Sequence, residues 1–229
     1  MSKIIISSDS TCDLSAELKE KYGIKIIPLG ITLGTQVYRD GVDITPEDIY
    51  AHHEKTGELP KTTASNVGEC IDYFTELKKD GDTIIHFTIS SKMSSTYNNT
   101  CMAAEEFDDV YVIDAQNLST GSGLLVLAAA EMANSGMEAP AIVEELEKLV
   151  PCVDASFVID SLEYLHKGGR CSAVAMLGAN LLNLSLVSRL KTAAWALVKN
   201  TVVLTDACFQ NMLTSDFKTL MILTQAVCL

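Results

Sequence analysis

The feature that most restricts this chain is an alternation of strand-like and helix-like runs that continues to residue 150. "KIIISSDS" (3–10) reads as a buried strand ending in a polar turn. "SAELKEKYG" (15–23) reads as a short helix with Ser15 as N-cap and Gly23 as its stop. "IKIIPLG" (24–30) is a second strand, and "ITLGTQVYRDG" (31–41) alternates as a hairpin does. Thr45, Pro46, Glu47 and Asp48 then open a helix, with proline at its first position and carboxylates in its first turn. "NVGECIDYFTELKKDG" (66–81) is an amphipathic helix closed by lysines and glycine. Strands "DTIIHFTI" (82–89) and "VYVID" (110–114) follow, with helices "GLLVLAAAEMANSG" (123–136) and "APAIVEELEKLV" (139–150). "ASFVID" (155–160) begins a new strand after Pro151. Such alternation implies an α/β fold, right-handed crossovers and a largely parallel sheet covered on both faces. A first domain at 1–150 and a boundary near Pro151 are expected.

In such sheets ligands bind outside the carboxyl ends of the strands. Four hydroxyl-rich stretches are expected as turns at that edge: 7–13, 61–65, 90–96 and 114–123. They offer Asp9, Ser10, Thr62, Thr63, Ser94, Ser95, Thr96 and Asp114 as ligand-binding candidates. Hydroxyls, free backbone N–H groups and helix N-termini hold anions. Asp9 and Asp114 each end a strand, and a plain turn-forming role competes with ligand binding for both. In "HKGGR" (166–170), Arg170 has the reach and geometry to pair with a carboxylate or phosphate. Catalysis by Ser94 or Ser10 needs a base in hydrogen-bond reach. His86 falls inside a strand, His52 and His53 lie on a surface-type helix, and His166 alone has a route to the cleft. Phosphate-loop, dinucleotide and nucleophile-elbow motifs are missing from the sequence. The chain therefore reads as a non-enzyme without a cofactor, and a serine-dependent acyl hydrolase is the alternative kept open.

A net charge of −13 argues against nucleic acid and anionic membranes as partners. The longest apolar run is too short for a transmembrane segment. Seven dispersed cysteines, without a CxxC or a Cys/His pair, fit reduced thiols in a cytoplasmic protein rather than a zinc site.

"SDSTCDL", "GELPKTTAS", "ISSKMSSTYNN", "VIDAQNLSTGSGLLVLAAA" and "SLEYLHKGGRCS" together resemble, in order, the blocks of the DegV family of fatty-acid-binding proteins. The resemblance covers residues 3 to about 184. It implies two α/β domains with a long-chain fatty acid buried between them, residues 151–184 opening the second. It further implies that hydroxyls at Thr62 and Ser94 meet the carboxyl head, that Arg170 lies near it, and that a fatty acid kinase phosphorylates the carboxyl that the carrier presents. "TASN" (63–66) departs from the family's Ser-Gln-Pro-Ser-like run, and Ser95 stands where the family has glycine.

Residues 185–229 differ in kind. They contain no glycine or proline, and carry four basic and two acidic side chains, so the first 184 residues hold −15. Reading the codons one base out of phase permits a glycine-containing run of family type. Trp195 followed by Ala196 must then encode glycine, and Met221 followed by Ile222 must encode aspartate. The expectation is a single-base deletion near the Ser185 codon, a truncated second domain, and weak or absent fatty acid binding.

Overall fold

The structure, a computed structural model, describes residues 3–79 and 81–159, with strands at 186–189 and 196–197. The chain divides into two compact units, 1–153 and 154–229. In the first, β1 (Ile4–Asp9) leads through a 3-10 turn (Ser10–Cys12) into α1 (Ala16–Tyr22) and β2 (Lys25–Ile27). A hairpin of β3 (Gly30–Leu33) and β4 (Gln36–Arg39) precedes α2 (Pro46–Thr56) and β5 (Lys61–Thr63). Then come α3 (Val67–Leu77), β6 (Thr83–Thr88), α4 (Thr96–Ala104), β7 (Val110–Asp114), α5 (Thr120–Asn134) and α6 (Ala139–Leu149). In the second unit, β8 (Ser156–Ile159), β9 (Leu186–Arg189) and β10 (Ala196–Leu197) pair antiparallel in the order β10-β9-β8.

Local chemistry sets the helix ends. Ser15 Oγ accepts from Leu18 N, and Gly23 closes α1 at φ 67°. Thr45 and Asp48 form a reciprocal capping box before α2, and Asn66 and Glu69 form another before α3.

The main sheet is parallel throughout, in the order β2-β1-β6-β7. Both faces are covered, which is why its strands read as continuous apolar runs. On one face Ile6, Ile85, Phe87 and Ile113 meet Leu125 and Val126 of α5 and Ile142 and Leu146 of α6. On the other, Ile5 and Ile84 meet Cys70 and Phe74 of α3 and Ala103 of α4. After β1 the chain moves outward to β2, then returns to the far side of β1 for β6 and β7. The direction of strand addition thus reverses between β1 and β6, the place where open α/β sheets form a ligand crevice. A second, antiparallel sheet has the order β4-β3-β5. Residues 61–65, expected as a turn, begin with an edge strand of that sheet, and α4 is a helix that the sequence pattern did not mark. Among the described residues no helix is long and apolar enough to cross a membrane.

Within the α3/α4 face a polar contact is sealed in. Ser7 Oγ lies 2.7 Å from His86 Nδ1, and both residues are buried. The imidazole stands edge-on to Phe74, ring centroids 5.3 Å apart, and Tyr73 packs beside it. Burial pulls its pKa down to about 3. In the unfolded chain the ring titrates near its ordinary 6.5. As pH falls below that value the unfolded chain takes the proton and the folded chain does not, so His86 drains stability. Burial raises the Asp9 carboxyl above 3.8, so at the acid end the folded state gains that proton first and recovers part of the loss. Urea titrations from about pH 7 to about pH 4 should show a falling stability in the parent and a shallower fall in His86→Gln. Equal slopes would remove His86 as the cause.

Candidate functional site

The site begins with one buried carboxylate at the β1–β6 reversal. Asp9 is 1% exposed. Its Oδ1 accepts from Thr11 N at 3.1 Å and Thr11 Oγ1 at 2.5 Å, and its Oδ2 from Ile89 N at 2.7 Å. One side chain thus fixes both the turn after β1 and the exit of β6. Next to it, Ser10 Oγ donates to Asp40 Oδ2 at 2.7 Å and accepts from Leu29 N at 3.2 Å, which ties this edge to the segments flanking the small sheet. Beyond β6 the chain turns tightly. Met93 N and Ser94 N both donate to the Ser90 carbonyl, and Ser91 N donates to Asp114 Oδ1 at the end of β7. Asp114 Oδ1 also accepts from Gln116 N at 2.9 Å. The start of α5 packs against the 10–12 turn so closely that a Cβ on Gly123 would stand 2.7 Å from the Cys12 carbonyl oxygen.

Two sets of hydroxyl residues flank this frame. Just before α4, Ser94 Oγ lies 2.8 Å from Oγ1 of the buried Thr96 and accepts from Thr96 N at 3.2 Å. Ser95, the residue before the helix, makes no side-chain cap hydrogen bond. The first turn of α4 therefore carries the partial positive charge of a helix N-terminus with hydroxyls beside it. On β5, Thr62 pairs with Ile31 and Thr63 with Gly30, and both threonines are exposed. The Thr63 hydroxyl occupies the space over Gly30, where a Cβ would come within 2.2 Å of it. The two groups are joined by Asn99 of α4, whose Nδ2 donates to the Ser65 carbonyl at 2.8 Å. Ser65 is two residues beyond Thr63, and Asn99 lies one helical turn beyond Ser95, whose carbonyl accepts from Asn99 N at 3.0 Å.

Such an arrangement can hold an anion through hydroxyls and helix-end N–H groups. Among the described residues no histidine is hydrogen-bonded to Ser94. The Ser94 hydroxyl is engaged with Thr96. The serine–histidine hydrogen bond among the described residues is Ser7–His86, sealed in the core away from any substrate.

Of the candidates read from the sequence, Ser94, Ser95 and Thr96 share the start of α4, and Thr62 and Thr63 share β5. Asp9, Ser10 and Asp114 engage side-chain oxygens in internal hydrogen bonds, the kind of contact a turn-forming role for Asp9 and Asp114 calls for. Arg170 and His166 lie outside the described residues. Sequence reasoning missed Asn99. Its neighbours "TYNNT" carry no apolar period, and its partner is a backbone carbonyl, which leaves no mark in a sequence.

The profile of the family described as "Uncharacterised protein, DegV family" matches residues 3–218. The chain belongs to the DegV family. The match extends past residue 184, where the sequence analysis places the end of the resemblance. A DegV domain-containing protein of Caldanaerobacter subterraneus is 36% identical over 185 residues, 80% of this DegV chain and 66% of the relative. One from Staphylococcus aureus is 37% identical over 201 residues, 87% of this chain and 72% of the relative. The chain thus spans about two thirds of the length of these curated relatives. A fatty-acid-binding DegV family protein from Thermus thermophilus superposes with TM-score 0.80 at 31% identity, covering 93% of this chain and 79% of its own. DegV, a fatty acid binding protein from Bacillus subtilis, superposes with TM-score 0.80 at 26% identity, covering 96% and 79%. A stearic-acid-binding protein from Eubacterium ventriosum gives 0.76 at 30% identity, covering 90% and 73%.

Replacing Asp9 by alanine strips three donors of their acceptor in a buried place. Asp9→Ala should cost about 3 kcal/mol of unfolding free energy, since hydrogen bonds to a charged group are worth roughly 1.5–3 kcal/mol. Asp114→Ala, whose carboxylate is half exposed, should cost less. Urea denaturation checks the order.

Proposed function

We propose that this DegV chain binds a long-chain fatty acid by its carboxylate and leaves the carboxyl unchanged for a fatty acid kinase in the cytoplasm to phosphorylate. The observation that carries the reading is the Ser94–Thr96 hydroxyl pair at the start of α4, linked through Asn99 to the strap that follows the β5 threonines, with no base hydrogen-bonded to it among the described residues. Thr62, Thr63, Ser94, Ser95 and Thr96 are assigned to the head group, with Arg170 as the cation that neutralises it. Asp9 and Asp114 are assigned to holding the frame, because a second carboxylate against the ligand's own would repel it, and Ser10 joins them because its hydroxyl is engaged with Asp40 and the Leu29 amide. The relatives support the ligand class, since those from Thermus thermophilus and Bacillus subtilis are described as fatty-acid-binding and that from Eubacterium ventriosum as stearic-acid-binding. Physically, the tail supplies most of the affinity, at about 0.8 kcal/mol per buried CH₂. The head must still be paired, because a carboxylate removed from water without hydrogen bonds is costly.

We further read residues 185–229 as encoded out of frame, on the loss of glycine and proline and the change in charge sign after residue 184. On that reading the chain holds its ligand more weakly than a version with the frame restored. Resequencing the locus tests this directly: an intact frame encoding the same tail overturns it.

Lipid extraction and mass spectrometry of the purified protein should recover intact fatty acid rather than its hydrolysis products. In fluorescent fatty acid displacement, Thr62→Val and Ser94→Ala should each weaken binding about tenfold, the cost of one charge-assisted hydrogen bond. Unchanged affinity in both variants would remove the head site from this place. Labelling of Ser94 by an active-site serine probe would favour the hydrolase instead.

A further inference from the structure

Thr62 and Ser94 belong to different sheets of the fold. Thr62 sits on an edge strand of the small antiparallel sheet, and Ser94 follows a strand of the parallel sheet. β5 is three residues long and among the described residues pairs with β3, so its own ladder fixes its register but not its separation from the α4 turn. Something must set that separation if two hydroxyls are to converge on one carboxylate. Hydrogen-bonding sites for a head group tolerate errors of only about 0.5 Å.

We infer that Asn99 is the positioning residue that sets the spacing of the two hydroxyl groups. Its backbone N–H is held by the Ser95 carbonyl, so its place relative to Ser94 is fixed by the helix itself. Its Nδ2 reaches across to the Ser65 carbonyl at 2.8 Å. A carbonyl only accepts, so the amide nitrogen is the end that must face it. Ser65 is 3% exposed and the bond is part-buried, which limits competition from water. On the far side of Ser65 the chain is equally constrained, because Asn66 N donates to Glu69 Oε2 and Asn66 Oδ1 accepts from Glu69 N in the capping box of α3. Residues 64–66 thus form a short strap between β5 and α3, and Asn99 is the contact that draws the strap onto α4. Loss of that contact frees the β5 end to shift relative to Ser94 while the helix and the strand each remain formed. Asn99 touches no ligand in this scheme and acts through Thr62 and Thr63.

The inference rests on the carboxylate-holding role proposed for Thr62 and Ser94, and the test separates the two. Affinity is measured in the full chain for a long-chain fatty acid and for the alcohol of the same length. Parent, Ser94→Ala, Asn99→Ala and Asn99→Asp are compared, with a thermal melt on each. Asn99→Asp keeps the side-chain shape and loses the donor. The parent should prefer the acid. Asn99→Ala and Asn99→Asp should weaken acid binding about tenfold and alcohol binding less than about twofold, because only the charged head depends on converging donors. Equal losses for acid and alcohol would mean general loosening and would overturn the positioning role, as would no loss. If Ser94→Ala abolishes the preference while both Asn99 variants retain it, the head site stands and the inference falls. A parent with no acid preference removes the head site and the inference together.

Discussion

The edge of the sheet depends on the Asp9 carboxylate. Its three hydrogen bonds join the turn after β1 to the exit of β6. It caps the Thr11 turn on one oxygen and the Ile89 amide on the other, at the place where strand addition reverses direction. In many α/β sheets that reversal leaves an open crevice for a ligand. Here a buried acidic side chain of the protein occupies that place and takes up the amides nearest to it. Its hydrogen bonds to Thr11 and Ile89 offset only part of the cost of burying it, which leaves its carboxyl raised above the usual 3.8.

The proposed division between frame and contact groups gives hydroxyls a use that needs no base. A serine becomes a nucleophile only when a neighbour accepts its proton. The Ser94 hydroxyl has another hydroxyl for a neighbour, and the pair can donate to an oxyanion without altering it. The fold does bring a serine and a histidine together at Ser7 and His86, but packs them against Phe74 and Tyr73 in the core.

Most of the scaffold was legible from the sequence because its signals are local. Ser15, Thr45 and Asn66 mark helix starts by the donors they satisfy, and Gly23 marks a stop by its positive φ. The parallel strands β1, β6 and β7 show as apolar runs because both faces are buried. Two elements stayed hidden. β5 is three exposed residues, made a strand by pairing with β3 and not by any pattern of its own. α4 lacks a side-chain cap, and its "TYNNTCMAA" mixes β-branched and polar residues, so neither its start nor its face is written in the order of residues. "IKIIPLG" was read as one strand, whereas the ladder with β1 ends at Ile27, before Pro28. At the site, the strand-end positions of Asp9 and Asp114 were readable and their partners were not, because those partners are backbone amides as many as 80 residues away in sequence.

The near-contact between the start of α5 and the Cys12 carbonyl has an evolutionary consequence. Gly123 leaves no room for even one methyl group toward the turn that carries Asp9 to Asp13. A lineage that acquires a larger residue there must also acquire a retreat of that turn, and with it a rearranged Asp9 cap. The two stretches, more than a hundred residues apart, are therefore bound to mutate in concert, and paired substitution across relatives would record the contact without any coordinates.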